Sequence, residues 1–178
     1  LWTSWRDTSN HDTIRLRAMH LIAWDGYLFT QPDSAYYFAQ LEYDLAERKG
    51  RMKEMANALN VQGISFQDRG DLARSIDYYM RSLALQEEIG NKRGIANALG
   101  NIGTIYSQQK DLDNSIVYYT RCLAMQEEIG EERGISLSLG NIANGYYEMG
   151  DTAKAMEFYQ RSLALKEKLN DARGVAMA

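Results

Sequence analysis

The sequence predicts an all-α fold, a solenoid of antiparallel helix pairs, and three observations carry that reading. The chain repeats every 40 residues: Ser82-Leu83-Ala84-Leu85-Gln86-Glu87-Glu88-Ile89-Gly90 returns as Cys122-Leu123-Ala124-Met125-Gln126-Glu127-Glu128-Ile129-Gly130 and, more loosely, as Ser162-Leu163-Ala164-Leu165-Lys166-Glu167-Lys168-Leu169-Asn170. A partner segment precedes each copy, with Leu99-Gly100-Asn101-Ile102 matched by Leu139-Gly140-Asn141-Ile142. Pro32 is the one proline in 178 residues, as an almost wholly helical chain requires. A fixed period of this size marks units that cannot bury an apolar face alone and do so by stacking. Such a chain offers a long shaped surface rather than a catalytic pocket.

Residues 91–130 define one unit. Ile95, Leu99, Ile102, Ile105 and Tyr106 recur at helical spacing and predict a first helix. Lys110-Asp111 ends it, as Gly70-Asp71 and Gly150-Asp151 do in the neighbouring units, and each Asp is placed to cap the helix that follows. Leu112, Ile116, Tyr119, Leu123, Met125 and Ile129 define the second helix, with Gly130 (and Gly90 one unit earlier) where a left-handed C-terminal residue is wanted. Repetition of this pair makes an αα-hairpin array. The units are residues 11–50 (divergent), 51–90, 91–130 and 131–170. Residues 1–10 precede them and 171–178 begin a further unit. The sequence starts at Leu1 and carries no polar-faced closing unit, so it is expected to belong to a longer chain. Trp2 and Trp5 either cover the open edge of the first unit or belong to an upstream element. The apolar side of the helix expected over 153–169 would be left uncovered by Val175 and Met177 alone, which predicts weak self-association through the C-terminal end.

Small residues recur where the helices of a pair must meet: Gly63, Gly103 and Ala143 in the first helix, Ser75, Ser115 and Ala155 and then Ser82, Cys122 and Ser162 in the second. Phe66, Tyr106 and Tyr146, with Tyr79, Tyr119 and Tyr159, fill the space beside them. This pattern resembles the tetratricopeptide repeat family, strongly over 51–170 and more weakly over 11–50. In the latter Ala23, Ala35, Tyr36 and Leu45 fit but Gly26 and Ala39 stand at aromatic positions, a one-residue ambiguity of register. The 40-residue unit is similar to the longer-helix variety of kinesin light chains and spindle-orientation adaptors. The resemblance implies a right-handed α-α superhelix with the first helices on its concave side.

That implication supplies the candidate groove. It consists of Arg17, His20, Trp24 and Tyr27 (with Leu21) in the first unit; Asn57 and Asn60 (with Val61, Ile64 and Gln67) in the second; Asn97, Asn101 and Thr104 (with Ser107) in the third; and Asn141, Asn144 and Tyr147 (with Leu137) in the fourth. An amide both donates and accepts, so an Asn row suits a peptide backbone of any side-chain sequence, and Trp24 and Tyr27 suit an aromatic anchor. Two readings of these residues stand at this stage. The asparagines either meet a ligand or bond neighbouring helices, and Trp24 either lines the groove or packs beneath the N-terminal segment. Family members that clamp a C-terminal carboxylate do so with cations; the matching positions here are Asn60, Ile64, Asn101, Leu137 and Asn141, or one unit earlier His20, Trp24, Val61, Asn97 and Asn101, which argues against such a clamp.

Other chemistry is excluded on composition and spacing. His11 and His20 lie nine apart, not a metal-ligand spacing on one helix face, and with Cys122 alone no zinc set forms. Cys122 holds a packing position and is read as a small buried hydrophobe. Glu87-Glu88, Glu127-Glu128 and Glu131-Glu132 recur near helix ends, as a solvated face does and a catalytic pair does not. No phosphate loop or nucleophile motif appears. No cofactor is expected and no enzyme. The net charge of −4, with both signs interspersed, gives no basic face for nucleic acid. With a mean hydropathy of −0.47 and no apolar run of about 20 residues, this segment is not expected to insert in a membrane. The sequence does not fix a compartment. It points to a non-enzymatic module binding a protein or peptide. An alternative is a sensory or regulatory segment of a larger signalling protein: Asp25-Gly26-Tyr27-Leu28-Phe29 ahead of three regular units resembles the repeat portion of bacterial receptor-type nucleotide cyclases and histidine kinases.

Overall fold

The computed structural model describes residues 1–27 and 30–176, with side chains as far as Leu169. Helix makes up 85% of the chain, and the described residues contain no strand. In order the elements are α1 (Trp2–Arg6), α2 (Asp12–Leu21) running straight into a π turn (Ile22–Tyr27), α3 (Pro32–Arg48), α4 (Met52–Asp68), α5 (Leu72–Glu88), α6 (Lys92–Gln108), α7 (Leu112–Ile129), α8 (Glu132–Glu148) and α9 (Thr152–Ala176). They group into two compact units, Leu1–Asn91 and Lys92–Ala178. Each holds two helix pairs.

The turns within pairs follow from local chemistry. Gly70 and Gly150 take φ of 76° and 84°, and Lys110 takes 61° at the same place, a conformation that costs a side-chain-bearing residue about 1–2 kcal/mol. The next residue caps the second helix: Asp71, Asp111 and Asp151 accept from the backbone N–H of Arg74, Asn114 and Lys154 at 3.1, 3.2 and 3.1 Å. Gly130 closes α7 in the left-handed region at φ 68°. Asn170 occupies that place one repeat later, and α9 runs past it to Ala176 rather than ending near Leu169.

The small residues tether the pairs as well as letting them close. Ser75 Oγ donates to the Gly63 carbonyl (2.9 Å) and Ser115 Oγ to that of Gly103 (3.0 Å). Ser82 Oγ and Cys122 Sγ donate to the carbonyls of Ala56 (2.8 Å) and Ala96 (3.2 Å), and Ser162 Oγ to that of Ser136 (2.8 Å). Beside them a stacked ring pair recurs, Phe66–Tyr78, Tyr106–Tyr118 and Tyr146–Phe158, with centroids 5.2, 5.3 and 5.7 Å apart.

The divergent pair keeps this stack by a backbone device. The equivalent of Phe66 is Gly26, which has no ring, yet Tyr27 stacks on Phe38 at 5.6 Å and 7°. A π turn holds one more residue than the α-helix it interrupts, so the Ile22–Tyr27 turn moves Tyr27 into the place of Gly26. The register ambiguity of the sequence is this inserted residue. Trp2 and Trp5 pack edge-on against Phe38 (5.2 and 6.1 Å), covering the edge of the first pair. The core of this unit joins Ile22, Ala23, Ala35, Phe38, Ala39 and Val61. That of the second joins Tyr119, Leu123, Leu139 and Ile142, flanked by Ile116, Ile135, Tyr146, Phe158 and Leu165.

Candidate functional site

In the first unit the expected groove residues divide by depth. Arg17 is exposed, His20, Asn57 and Asn60 are half-buried, and Val61, expected to face the groove, is fully buried in the core. That placement corrects the sequence reading: Val61 packs with Ile22, Phe38 and Ala39, where a β-branched side chain fills space. Trp24 packs against the same core and stacks on His20 (6.2 Å, 18°), while Tyr27 is held on Phe38. Gln67 accepts from the Tyr79 hydroxyl at 2.9 Å and braces a helix pair.

His20 also belongs to a pair that sequence reasoning missed. Its Nδ1 lies 3.1 Å from Glu42 Oε2, and Glu42 is 1% exposed. Glu42 stands at the position of Ser82, Cys122 and Ser162, and His20 at that of Asn60, Gly100 and Gly140. Where later pairs set a small second-helix side chain, this pair sets a buried acid and its partner. Burial pushes the Glu42 carboxyl above its ordinary value against the opposing effect of His20. Burial acts to lower the His20 imidazole, but the hydrogen bond and charge of Glu42 outweigh it and hold the ring above its ordinary value. A glutamate in a column of small residues was the visible signal.

In the second unit Asn97 is exposed and Asn101 half-buried on α6, whereas Thr104 donates to the Gly100 carbonyl (3.0 Å) and bonds the Tyr119 hydroxyl (2.9 Å). On α8, Asn141 is half-buried and Asn144 exposed, and Asn144 accepts from the Tyr159 hydroxyl, the counterpart of the Thr104 bond. Leu137 and Tyr147 are 65% and 64% exposed. Positions 137, 141, 144 and 147 fall on one stripe of α8, and Leu137, Asn141 and Asn144 open onto a cleft of about 420 Å³ shared with Tyr159, Ser162, Leu163 and Lys166 of α9. Sequence reasoning missed the α9 wall because it looked for ligand contacts on first helices only.

The remaining chemistry-bearing groups are structural in their geometry. Cys122 is buried, its thiol donates to the Ala96 carbonyl, and burial pushes that thiol up, away from the thiolate a nucleophile needs. Among the described residues no cluster of three His, Cys, Asp or Glu could hold a metal ion, and no helix is long and apolar enough to cross a membrane.

The tetratricopeptide repeat model matches residues 54–128 and again 94–168. The chain belongs to the tetratricopeptide repeat family. No curated protein matches it. Solved structures share the fold at low identity. BtubC (BKLC) from P. vanneervenii is 20% identical with a TM-score of 0.81, over 95% of this chain and 70% of that one. Aspartyl phosphate phosphatase F from Bacillus subtilis is 17% identical with a TM-score of 0.86, over 91% of this chain and 43% of that one. The nearly identical repeats of a putative kinesin light chain from Podosopora anserina are 13% identical with a TM-score of 0.70, over 92% and 81%. This chain therefore spans less than half of the phosphatase, and at these identities the likeness concerns the fold.

Proposed function

We propose that the chain is a non-enzymatic interaction module that holds a protein or peptide partner on the exposed stripes of its first helices. The observation that carries this reading is on α8. Leu139 and Ile142 are buried, yet Leu137 and Tyr147 on the opposite stripe stay 65% and 64% exposed beside two asparagine amides. Large apolar side chains kept in water next to backbone-matching amides are what a peptide surface needs: contact area from the former, directional bonds from the latter. On α6 the same stripe carries Asn97 and Asn101. The first unit, taken by itself, carries a corresponding stripe in which Arg17 is exposed and His20, Trp24, Asn57 and Asn60 are half-buried.

The test is a peptide-array and pull-down comparison of the wild-type chain with Asn97→Ala/Asn101→Ala/Tyr147→Ala. The reading expects loss of the captured set at unchanged thermal stability. An unchanged set would remove it. A second reading, a regulatory repeat segment of a larger signalling protein, rests on the stretch Asp25-Gly26-Tyr27-Leu28-Phe29, of which Leu28 and Phe29 lie outside the described residues. The full coding sequence tests it, since the reading requires a membrane helix and an enzymatic domain downstream.

A further inference from the structure

We propose that α2 and its π turn form a proton-controlled latch on α3. The His20–Glu42 pair holds the segment down while the ring carries its proton. Loss of that proton to water enlarges the population in which the segment opens and carries Arg17, His20 and Trp24 out of the binding stripe. The latch is a property of the first unit alone, and only its effect on a partner rests on the interaction-module reading.

The first pair lacks the ties that close later pairs. In the α4/α5 and α6/α7 pairs three side chains of the second helix bond back to the first: Ser75, Tyr79 and Ser82, then Ser115, Tyr119 and Cys122. Their counterparts on α3 are Ala35, Ala39 and Glu42. Two of these have no group to bond with, and the third meets His20 Nδ1 at 3.1 Å. α3 itself is held by α4: Ser65 Oγ donates to the Pro32 carbonyl (2.6 Å), Gln62 Nε2 to Gln40 Oε1 (2.8 Å), and Arg69 pairs with Asp33 (2.7 Å). The side that yields is therefore α2. Leu16 and Met19 still pack on Leu45 and Ala46, so the segment opens as a minor population and does not leave for good. Trp24, stacked on His20, travels with it, whereas Tyr27 stays on Phe38; Asp25 and Gly26 between them, both exposed, are the hinge.

Charge decides when the segment opens. With the ring protonated, an imidazolium balances the Glu42 carboxylate, which is 1% exposed. With the ring neutral, that carboxylate keeps one neutral N–H donor and no balancing charge, a state that burial strongly disfavours. The other charges acting on the pair make this worse: Asp25 of the π turn acts on the ring and Glu54 of α4 on Glu42, and both are acidic. Neighbouring cations are engaged elsewhere. Arg6 of α1 lies over Trp2 and Trp5, Arg15 bonds the Trp5 carbonyl, and Lys49 pairs with Asp12, while Arg17 is exposed on the stripe. Opening brings water to Glu42 and relieves the unbalanced charge. The closed segment holds the ring above its ordinary value, so the latch is shut below about pH 6.5 and opens as pH rises through the folded value.

The test is hydrogen–deuterium exchange of the full chain, read by mass spectrometry as protection relative to the unstructured rate at each pH. Between about pH 5.5 and about pH 8.5, protection over residues 12–24 is expected to fall about tenfold more than that over 72–88. The fall should track the titration of the His20 ring, followed by its Cε1 proton resonance. Two variants should abolish it by different chemistry: Glu42→Gln removes the buried charge, and His20→Lys keeps a cation over the whole range. Both should hold protection at the closed level, whereas a merely damaged fold loses protection at every pH. A folded variant that keeps the wild-type fall overturns the latch. Should the variants fail to fold, the wild-type profile decides: protection that stays level while the ring titrates overturns it. For the partner, array peptides that need Arg17, shown by their loss on Arg17→Ala, are expected to bind about tenfold more weakly at about pH 8.5 than at about pH 5.5. Equal binding overturns control of the stripe. A chain that captures no peptide at either pH removes the interaction-module reading, while the exchange profile still decides the latch.

Discussion

Replacing Gly63 with Ala tests how closely a helix pair is packed. A Cβ built on Gly63 would lie 2.6 Å from Cε1 and 2.7 Å from Cδ1 of Tyr79, a ring fully buried and tied by its hydroxyl to Gln67. Ordinary carbon contacts run at about 3.5–4.0 Å, so α4 and α5 must part or the ring must leave its rotamer, at a cost of about 1–3 kcal/mol. Alanine returns up to about 1 kcal/mol through its better helix propensity. With the full return the net loss is up to about 2 kcal/mol, or up to roughly 8 °C in Tm for a chain of this size. Gly103→Ala, whose Cβ would meet the Tyr119 ring at 3.0 Å, should cost less. The third equivalent is Ala143 in the native chain, paired with Tyr159, whose 37% exposure leaves the ring room to yield. Thermal and urea unfolding followed by circular dichroism give the order. Stabilisation by Gly63→Ala, or a larger loss at Gly103 than at Gly63, would refute the packing argument. Gly63→Ala with Tyr79→Leu should be less damaging than the sum of the two changes, because the smaller side chain removes the clash.

Lys110→Gly should raise stability by about 1 kcal/mol in the same assay, since glycine adopts φ 61° without the side-chain penalty and the exposed Lys110–Glu148 pair contributes little. Asp111→Ala should cost about 1 kcal/mol through loss of the cap on α7, with Asp111→Asn nearly neutral. Stability should fall as pH rises through neutrality. The folded state holds His20 above its ordinary value, so the favourable contribution is complete below about pH 6.5 and is lost as pH climbs through the folded value. Glu42 is raised as well, so the folded state prefers its protonated form and that slope has the same sign. His20→Gln should flatten the pH dependence of Tm above about pH 6.5, and an unchanged profile would show that the pair does not titrate there. Asn97→Ala should leave Tm unaltered, since Asn97 is exposed; a loss equal to that of Gly103→Ala would make Asn97 a structural residue.

Much of the fold was legible because the repeat states it three times. Asp71, Asp111 and Asp151 announce their caps by type and spacing, and the small-residue columns mark the axes that approach. The first pair was harder, because its distinguishing device is a backbone one: nothing in Gly26-Tyr27 alone says that a π turn will bring the tyrosine into the stack. His20 was legible as accessible, but its partner lies 22 residues away, and only the comparison of columns makes Glu42 anomalous. The candidate groove residues were readable as first-helix positions, but their depth was not. Val61 and Asn60 are neighbours in sequence, and a turn of 100° about the axis separates a core position from a half-buried one. Thr104 and Asn144, read as ligand contacts, also hold hydroxyls of their own second helices, a bond that follows from side-chain direction and not from spacing.

The most direct test of the interaction surface is amide chemical-shift mapping of the chain with a partner selected by the peptide array. The account predicts that the largest perturbations fall on the exposed stripes of the first helices, at Asn97 and Asn101 on α6 and at Leu137, Asn141 and Tyr147 on α8, and that Tyr147→Ala removes them. Perturbations confined to the outer faces of α5 and α7, with the α6 and α8 stripes unmoved, would contradict it.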